Sequence, residues 1–321
     1  IGEYAFQNLE LMTKVVVPDT VTSIGLGAFK GCNAIEDIML PFVGASADAT
    51  YYDAVFGYIF DHETKRGNSC SSSVAGEEYY NTQYSSSDVS VWQYTCADGY
   101  SYYYGASYWY NSYYYYIPAT IKNVTITVQT AIPTAAFNEC TSLEKITLGP
   151  DVAVISEYAF SNCAATTFIV DEQNPTFVAS EDGRYLTNKA GDTILHVAPG
   201  ISGEFAVYDP KITTIGAGAF SGNYRGITKV TIPGVTIVSN YAFAYCEKLE
   251  SITLGELTHI GDYAFYFCTS LESISVPDSV ITIREGAFVS RLTIQEPQSI
   301  CIYTFSRHDI KLQYNVYLID F

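Results

Sequence analysis

The chain has 321 residues, 48% of them hydrophobic, and its 34 acidic and 16 basic side chains give a formal charge of −18. A field of that sign repels phosphate backbones and anionic headgroups, so we expect no nucleic-acid partner and no acidic membrane partner. No stretch approaches the roughly 18 uninterrupted apolar residues of a membrane helix, so we expect no membrane insertion either.

The first predicted element is one unit of a tandem repeat. Outside two longer gaps, an Ala-Phe pair returns every 22 or 23 residues. Residues 260–277, IGDYAFYFCTSLESISVP, show the unit as IGxxAFxxCxxLxxIxLP. Self-similarity at such a period is the signature of a repeat architecture. The anchor residues are Phe6, Phe29, Phe137, Phe160, Phe220, Phe243, Phe265 and Phe288.

Each unit predicts one strand and one tight turn. Its second half, as in LEKITL, alternates apolar and polar residues, which is typical of a short strand. Its first half places Ile260, Ala264, Phe265 and Cys268 at a spacing that favours a helical turn. A unit this small cannot bury its own apolar face, so neighbouring units must stack. We therefore predict a single α/β-type repeat solenoid over residues 1–321.

The recurring IGxxAFxxCxxL pattern resembles the BspA-like leucine-rich repeat family. The resemblance implies a right-handed leucine-rich-repeat superhelix, with a parallel concave β-sheet and short helical turns on the convex side. It further implies a secreted or cell-surface protein with a role in adhesion or host interaction. The family supplies no catalytic residues to transfer to this chain.

The first gap in the array, residues 42–120, is a Tyr-rich insertion that replaces one convex segment. Repeat strands precede it at Ile38 and follow it at Val124, so the insertion extends from the edge of the solenoid. Insertions of this kind map to loops on one face and often carry function.

The tyrosines of the insertion have two interpretations. They form a recognition platform, since rigid amphipathic rings bind sugars and proteins at low entropic cost. Alternatively, they pack the insertion against the solenoid in place of an aliphatic core. The run at 113–116 cannot place every ring on one face of a strand, which favours a surface patch on a packed layer. The candidate ligand-binding residues are Tyr102, Tyr104, Tyr108, Trp109, Tyr110, Tyr114 and Tyr116.

The predicted concave face is the second candidate surface. With Ile146 and Leu148 buried, alternation turns the intervening residues outward. Small hydroxyl side chains dominate this row, and ladders of Thr and Ser stabilise a sheet by pairing sideways. The candidate residues of this face are Lys145, Thr147, Lys229, Thr231 and Thr253.

The second gap, residues 171–210, predicts a β-hairpin insertion. Alternating runs at 185–187 and 193–197 are joined by NKAGD, a hairpin signal. The acidic residues nearby do not have the spacing of an EF-hand loop, so we expect no calcium site.

Five of the eight cysteines follow an anchor phenylalanine by three residues, which indicates a packed thiol at one recurring position of the unit. No paired CxxC motif occurs, and the four histidines are scattered, so we expect no metal and no cofactor. Cys70 and Cys96 lie outside the pattern, and they could pair if the protein is exported.

These features predict a binding or adhesion module that recognises a protein or glycan on another cell. The alternative is a non-binding structural scaffold or spacer that displays another domain. We expect no enzyme, because no nucleophile elbow, HExxH or phosphate loop appears. Paired carboxylates such as Asp53 and Asp61 could cleave a glycoside, but acidic residues alone are weak evidence for a glycosidase. The shortened last copies resemble a terminal cap, whereas the first copy does not, which predicts a monomer or weak end-to-end association.

Overall fold

The computed structural model describes residues 1–60, 62–66, 90–96, 111–156, 158–220, 226–288 and 293–295. In β-strands 62–66, 90–96 and 293–295, and at residues 51, 52, 111–114 and 116, the description covers the backbone alone. The chain divides into two compact units. One comprises residues 1–143 and 154–160, and the other comprises residues 144–153 and 161–321.

The first unit contains eight strands and two short 3-10 helices, Tyr51–Ala54 and Phe56–Ile59, among its described residues. The strands are β1 (Lys14–Val16), β2 (Asp37–Leu40), β3 (His62–Arg66), β4 (Ser90–Cys96), β5 (Asn111–Pro118), β6 (Asn123–Ile126), β7 (Ala131–Ile132) and β9 (Val154–Ile155).

The second unit consists of β-strands and turns over its described part. Its strands in the first of the two rows described below are β8 (Lys145–Leu148), β10 (Thr167–Val170), β14 (Gly203–Ala206), β16 (Ile227–Ile232), β18 (Ser251–Leu254), β20 (Ser273–Ser275) and β22 (Thr293–Gln295). Its other strands are β11 (Val178–Ala179), β12 (Tyr185–Thr187), β13 (Thr193–Val197), β15 (Thr214–Ile215), β17 (Ile237–Val238), β19 (His259–Ile260) and β21 (Thr282–Ile283).

Many of the repeats contribute strands to two parallel rows. The long strands pair with those of the neighbouring repeat, as β1 does with β2, β2 with β6 and β16 with β18. The two-residue strands β15, β17, β19 and β21 form a second row, which begins at β13 and pairs in parallel throughout. The pairing aligns one buried residue per strand, so the core is a stack of identical layers: Ile194, Ile215, Val238, Ile260 and Ile283.

The turns that connect the repeats are not helical, so the predicted helical turns are wrong. Tyr266 N–H donates to the Tyr263 carbonyl and Cys268 N–H to the Phe265 carbonyl, each spanning three residues. In every described copy, the residue two before the anchor phenylalanine has a left-handed φ of 53–63°. Wherever it is described, the residue two after the anchor is left-handed as well, for example Phe267 at 57°. An α-helix cannot continue through such residues, so the turn is a chain of tight β-turns.

The anchor phenylalanines stack in a column within each unit, as the repeat predicts. In the second unit the ring centroids of Phe220, Phe243, Phe265 and Phe288 are separated successively by 4.4, 5.2 and 5.5 Å. In the first unit Phe6 stacks on Phe29 at 5.4 Å, and Phe137 on Phe160 at 5.6 Å. Backbone hydrogen bonds join the column from repeat to repeat, since an anchor N–H donates to the residue before the next anchor, as Phe243 does to Ala264 and Phe137 to Ala159.

The start of the Tyr-rich insertion replaces a repeat turn instead of leaving the stack. Phe29 N–H donates to the Ile59 carbonyl at 2.8 Å, and Phe56 N–H donates to the Ala136 carbonyl at 2.8 Å. The Phe56 ring lies 5.4 Å from Phe137, so this segment supplies the missing member of the column. Further along, β5 lies between β3 and β4 in an antiparallel sheet.

The second gap contains the antiparallel hairpin β12–β13, at the two runs that predicted strands. Asn188 organises its turn, since its side-chain carbonyl accepts hydrogen bonds from the backbone N–H groups of Gly191 and Asp192. Strand β13 then pairs with β15, which joins the hairpin to the row of short strands. The limits of this insertion, 171–210, those of the Tyr-rich insertion, 42–120, and the single solenoid remain predictions.

Candidate binding surfaces

The row of outward residues on the long strands has the register that alternation predicts. In β8, the part-exposed Lys145 and Thr147 alternate with the buried Ile146 and Leu148. Lys229 and Thr231 occupy the same two positions in β16, and Thr253 is exposed in β18. The pairing register places Thr231 beside Thr253, so these two residues belong to one row.

Two contacts give this row a polar character that the sequence pattern does not reveal. The Lys229 ammonium lies 3.0 Å from the Glu204 carboxylate, and about half of each side chain is exposed. The Asn123 amide donates to Asp37 at 2.6 Å. The repeat pattern does not predict Glu204, because its strand, GEFA, lacks the consensus. Only the β14–β16 register places it beside Lys229.

Thr231 does not have the sideways hydrogen bond expected of a hydroxyl ladder. Its Oγ1 is shielded from solvent and has no hydrogen-bond partner within the described part of the chain. The register pairs Thr231 with Ala206 on one side, and alanine offers no side-chain acceptor. The predicted ladder is therefore interrupted at this position.

Most of the predicted Tyr-rich site lies outside the described residues. Tyr102, Tyr104, Tyr108, Trp109 and Tyr110 are all in that part of the chain. Tyr114 and Tyr116 lie in β5, where Tyr114 pairs with Glu63 and Tyr94, and Tyr116 pairs with Trp92. Cys70 and Asp61 also lie outside, so the Cys70–Cys96 pairing and the Asp53–Asp61 pair stay untested predictions.

The strand β5 has one buried face. Tyr115 and Ile117 are 1% and 0% exposed, respectively. Since successive residues alternate between faces, positions 114 and 116 belong to the other face of the strand. Residues directly opposite in an antiparallel pair share a face, so positions 92 and 94 belong to the same face as 114 and 116. The sequence thus carries four aromatic residues at adjoining positions of one sheet face.

The repeat cysteines are packed thiols. The Cys32 thiol donates to the Phe6 carbonyl at 3.0 Å, and the Cys268 thiol donates to the Phe243 carbonyl at 3.1 Å. Burial raises the pKa of Cys163 and of Cys268 to about 12, so neither thiol ionises near neutral pH. Among the described residues, no group of three or more His, Cys, Asp or Glu side chains could hold a metal ion.

A comparison with protein families matches six copies of the BspA type leucine-rich repeat region to residues 1–49, 110–180 and 204–311, more than half of the chain. The chain belongs to the BspA-type leucine-rich repeat family. The repeats of this family therefore explain the stacked parallel strands and the phenylalanine column described above.

Solved leucine-rich repeat structures resemble this BspA-type chain weakly. A leucine-rich repeat protein from Eubacterium ventriosum is 18% identical, with 94% of this chain and 70% of that chain covered and a TM-score of 0.45. A leucine rich cell surface protein from Faecalibacterium prausnitzii is 19% identical, with 92% and 76% covered and a TM-score of 0.42. The pneumococcal vaccine antigen PcpA is 14% identical, with 98% and 71% covered and a TM-score of 0.40. No curated protein matches the BspA-type chain.

No helix in the described part of the BspA-type chain is both long enough and apolar enough to span a membrane.

Proposed function

We propose that this BspA-type chain is a binding module of a cell-surface or secreted protein, and that it recognises a protein or glycan on another cell. Membership of the repeat family supports a role in recognition, because stacked repeats create extended surfaces for binding. The proposed activity is binding without catalysis.

The observation that carries the proposal is the register of the insertion sheet. From alternation along β5 and its pairing with β4, we infer that positions 92, 94, 114 and 116 share the face opposite the buried Tyr115. Tyrosine and tryptophan are also the residues most enriched at binding hot spots. We assign ligand contact to this face, with Tyr102, Tyr104, Tyr108, Trp109 and Tyr110 as its predicted extension.

The row of Lys145, Thr147, Lys229, Thr231 and Thr253 is the second proposed surface. Lys229 and Thr253 are both exposed, on the neighbouring strands β16 and β18, so a polar ligand can reach them. The ion pair between Lys229 and Glu204 supplies both a cation and an anion for a polar ligand.

An array of glycans and extracellular proteins, probed with the purified chain, tests the proposal. A variant with Trp92, Tyr94, Tyr114 and Tyr116 all replaced by Thr should lose the binding, while threonine preserves the preference for a strand. The matched control is Tyr208→Thr, which removes a tyrosine that is 71% exposed in the second unit. Circular dichroism checks that both variants fold.

Binding that survives the fourfold substitution in a folded protein would remove the insertion face from consideration. A chain that binds nothing on either array would favour the alternative, a structural scaffold or spacer that displays another domain.

A further inference from the structure

A continuous ladder of aromatic rings covers the turns of two adjacent repeats in the second unit. Tyr241 stacks on Tyr263 with ring centroids 5.3 Å apart, and Tyr263 meets Tyr266 edge-on at 5.7 Å. Tyr266 in turn lies 4.8 Å from Phe267 and 5.3 Å from Tyr245. We call these five residues the turn ladder. They lie outside the phenylalanine column, and none of them is fully buried.

The backbone beneath the turn ladder is unusual. Tyr241, Tyr245, Tyr263 and Phe267 all have left-handed φ values, between 53° and 62°. That conformation is an outlier for bulky side chains. Other copies place glycine at the same position, as with Gly218 and Gly286, so the fold itself does not require a ring there.

Within the part of the chain that the structure describes, one ring face of the turn ladder has no other ring stacked on it. Tyr263 leans over the next repeat, where a Cβ on Gly286 would lie 2.4 Å from its ring. Tyr241 leans in the same direction, onto Tyr263. The residue on the other side of Tyr241, in the preceding repeat, is Gly218, which has no side chain to cover the ring. Tyr241 is accordingly 47% exposed, and a flat group can stack on its free face.

The surroundings of the turn ladder are acidic. The Glu285 carboxylate raises the pKa of Tyr263, through its charge and through a hydrogen bond. Asp262 lies on the same turn, where it pairs with Arg284 at 3.8 Å. The chain as a whole carries a charge of −18. A cation is attracted both by this field and by the electron-rich face of a tyrosine ring.

The first unit already contains such a pair at the equivalent positions. The Lys30 ammonium lies 5.8 Å from the ring centroid of Tyr4. Tyr4 precedes its anchor phenylalanine by two residues, as Tyr241 does, and Lys30 follows the next anchor by one. In the turn ladder, the residue at the position of Lys30 is Tyr266. The ladder therefore keeps the aromatic acceptor and replaces the chain's own cation with another ring.

We propose that the turn ladder is a docking surface for a basic, arginine-rich segment of a partner protein. One guanidinium stacks on the free face of Tyr241, and neighbouring cations face Glu285 and the edges of Tyr266. Arginine suits the site better than lysine, because a planar guanidinium can stack on a ring while it pairs with a carboxylate. This surface is independent of the insertion face proposed above.

Calorimetric titration of the whole chain with a capped hexa-arginine peptide tests the proposal. Tyr241→Gly should weaken binding by roughly 3- to 10-fold, the loss of one cation–π contact. The variant keeps the fold because glycine stands at this left-handed position in three other repeats, as Gly27, Gly218 and Gly286. The matched control is Tyr158→Gly, which makes the same substitution at the same left-handed position of a repeat in the first unit. It should leave binding unchanged.

Three outcomes would overturn the proposal. Equal binding by the wild type, Tyr241→Gly and Tyr158→Gly would show general attraction to an acidic protein. Equal binding of a hexa-citrulline peptide, which has the same planar shape without charge, would show that no cation is recognised. Loss of oligosaccharide binding in Tyr241→Gly, with hexa-arginine binding unchanged, would assign the ladder to a glycan.

Discussion

The thiols of the repeat cysteines are hydrogen-bond donors that join one repeat to the one before it. Cys32, Cys246 and Cys268 each donate to the carbonyl of a phenylalanine in the preceding repeat, at 3.0–3.7 Å. Burial raises the pKa of all three thiols, so the protonated form that can donate is the stable one. The contact is weak, but it recurs along the stack.

We expect these thiols to be unreactive in the native protein. The thiolate is the reactive species, and a pKa of about 12 leaves almost none of it for Cys163 or Cys268 at pH 8. Native chain treated with iodoacetamide at pH 8 should show no modification of these residues by peptide mass spectrometry. The same treatment in urea should modify both. Equal rates in the two conditions would contradict the assignment.

Asn174 anchors the start of the hairpin region with all four of its side-chain hydrogen bonds satisfied. Its amide donates to the carbonyls of Gly149 and Val152 at 2.8 and 2.7 Å. Its side-chain oxygen accepts from the N–H groups of Thr176 and Phe177. The residue is 1% exposed, so each bond replaces one with water.

Asn174→Asp should therefore destabilise the chain more than Asn174→Ala. Alanine leaves buried groups unpaired, at about 1–3 kcal/mol for each. Aspartate also directs a carboxylate oxygen at two carbonyl oxygens and buries its charge. Urea unfolding at pH 7 measures both. An Asp variant as stable as the Ala variant would argue against the assigned orientation of the amide.

The repeat turn depends on two left-handed residues, one on each side of the anchor phenylalanine. This arrangement closes hydrogen bonds across three residues and brings the chain back to the next long strand. A non-glycine residue in this conformation costs about 1–2 kcal/mol, so several copies of the turn are strained.

One substitution should have opposite effects at two neighbouring positions of this turn. Ala135 has a φ of 57°, so Ala135→Gly should stabilise the chain, by up to about 1 kcal/mol. Ala136 is fully buried and is not left-handed, so Ala136→Gly should destabilise it by about 1 kcal/mol. Urea unfolding of the two variants measures the sign of each change in the free energy of unfolding. The same sign for both would contradict the turn geometry.

The loss of stability on truncating a phenylalanine of the column should depend on how deeply its ring is buried. Phe243 is fully buried between two rings, so Phe243→Ala should cost about 3–5 kcal/mol. Phe6 is 40% exposed, so Phe6→Ala should cost about half as much or less. Chemical denaturation compares the two. Equal costs would mean that the column does not stabilise the repeats by burial.

The long strands were predictable because alternation at a period of two is specific to a strand with one buried face. The turns were not, since consecutive β-turns with left-handed residues at Tyr263 and Phe267 space their apolar residues much as a helix does. The candidate surfaces depended on register, which fixes Glu204 beside Lys229 but leaves no mark in the sequence. The turn ladder was not predicted because its tyrosines occupy variable positions of the repeat.

The whole molecule carries a large negative charge. A net charge far from zero keeps a protein soluble, but self-repulsion weakens its compact state. Its 34 acidic side chains have only 16 basic side chains to offset them, so carboxylates repel one another. Mobile counterions should therefore add stability.

Raising the NaCl concentration from about 10 mM to about 300 mM should raise the midpoint of thermal unfolding at pH 7, since the screening length falls to a few ångströms. Differential scanning calorimetry measures the shift. The same increase near pH 4.4, where the net charge vanishes, should have little effect. A salt effect of equal size at both pH values would point to preferential hydration instead of screening.

The hydrogen bonds from Phe29 to Ile59 and from Phe56 to Ala136 have a consequence for how this architecture changes over evolution. They keep the repeat spacing before and after the Tyr-rich insertion, so the length of the insertion beyond Phe60 is uncoupled from the fold. A lineage can lengthen, shorten or exchange the insertion while selection on the repeat scaffold stays unchanged. New binding specificities can thus arise in the insertion without a change in the repeat scaffold.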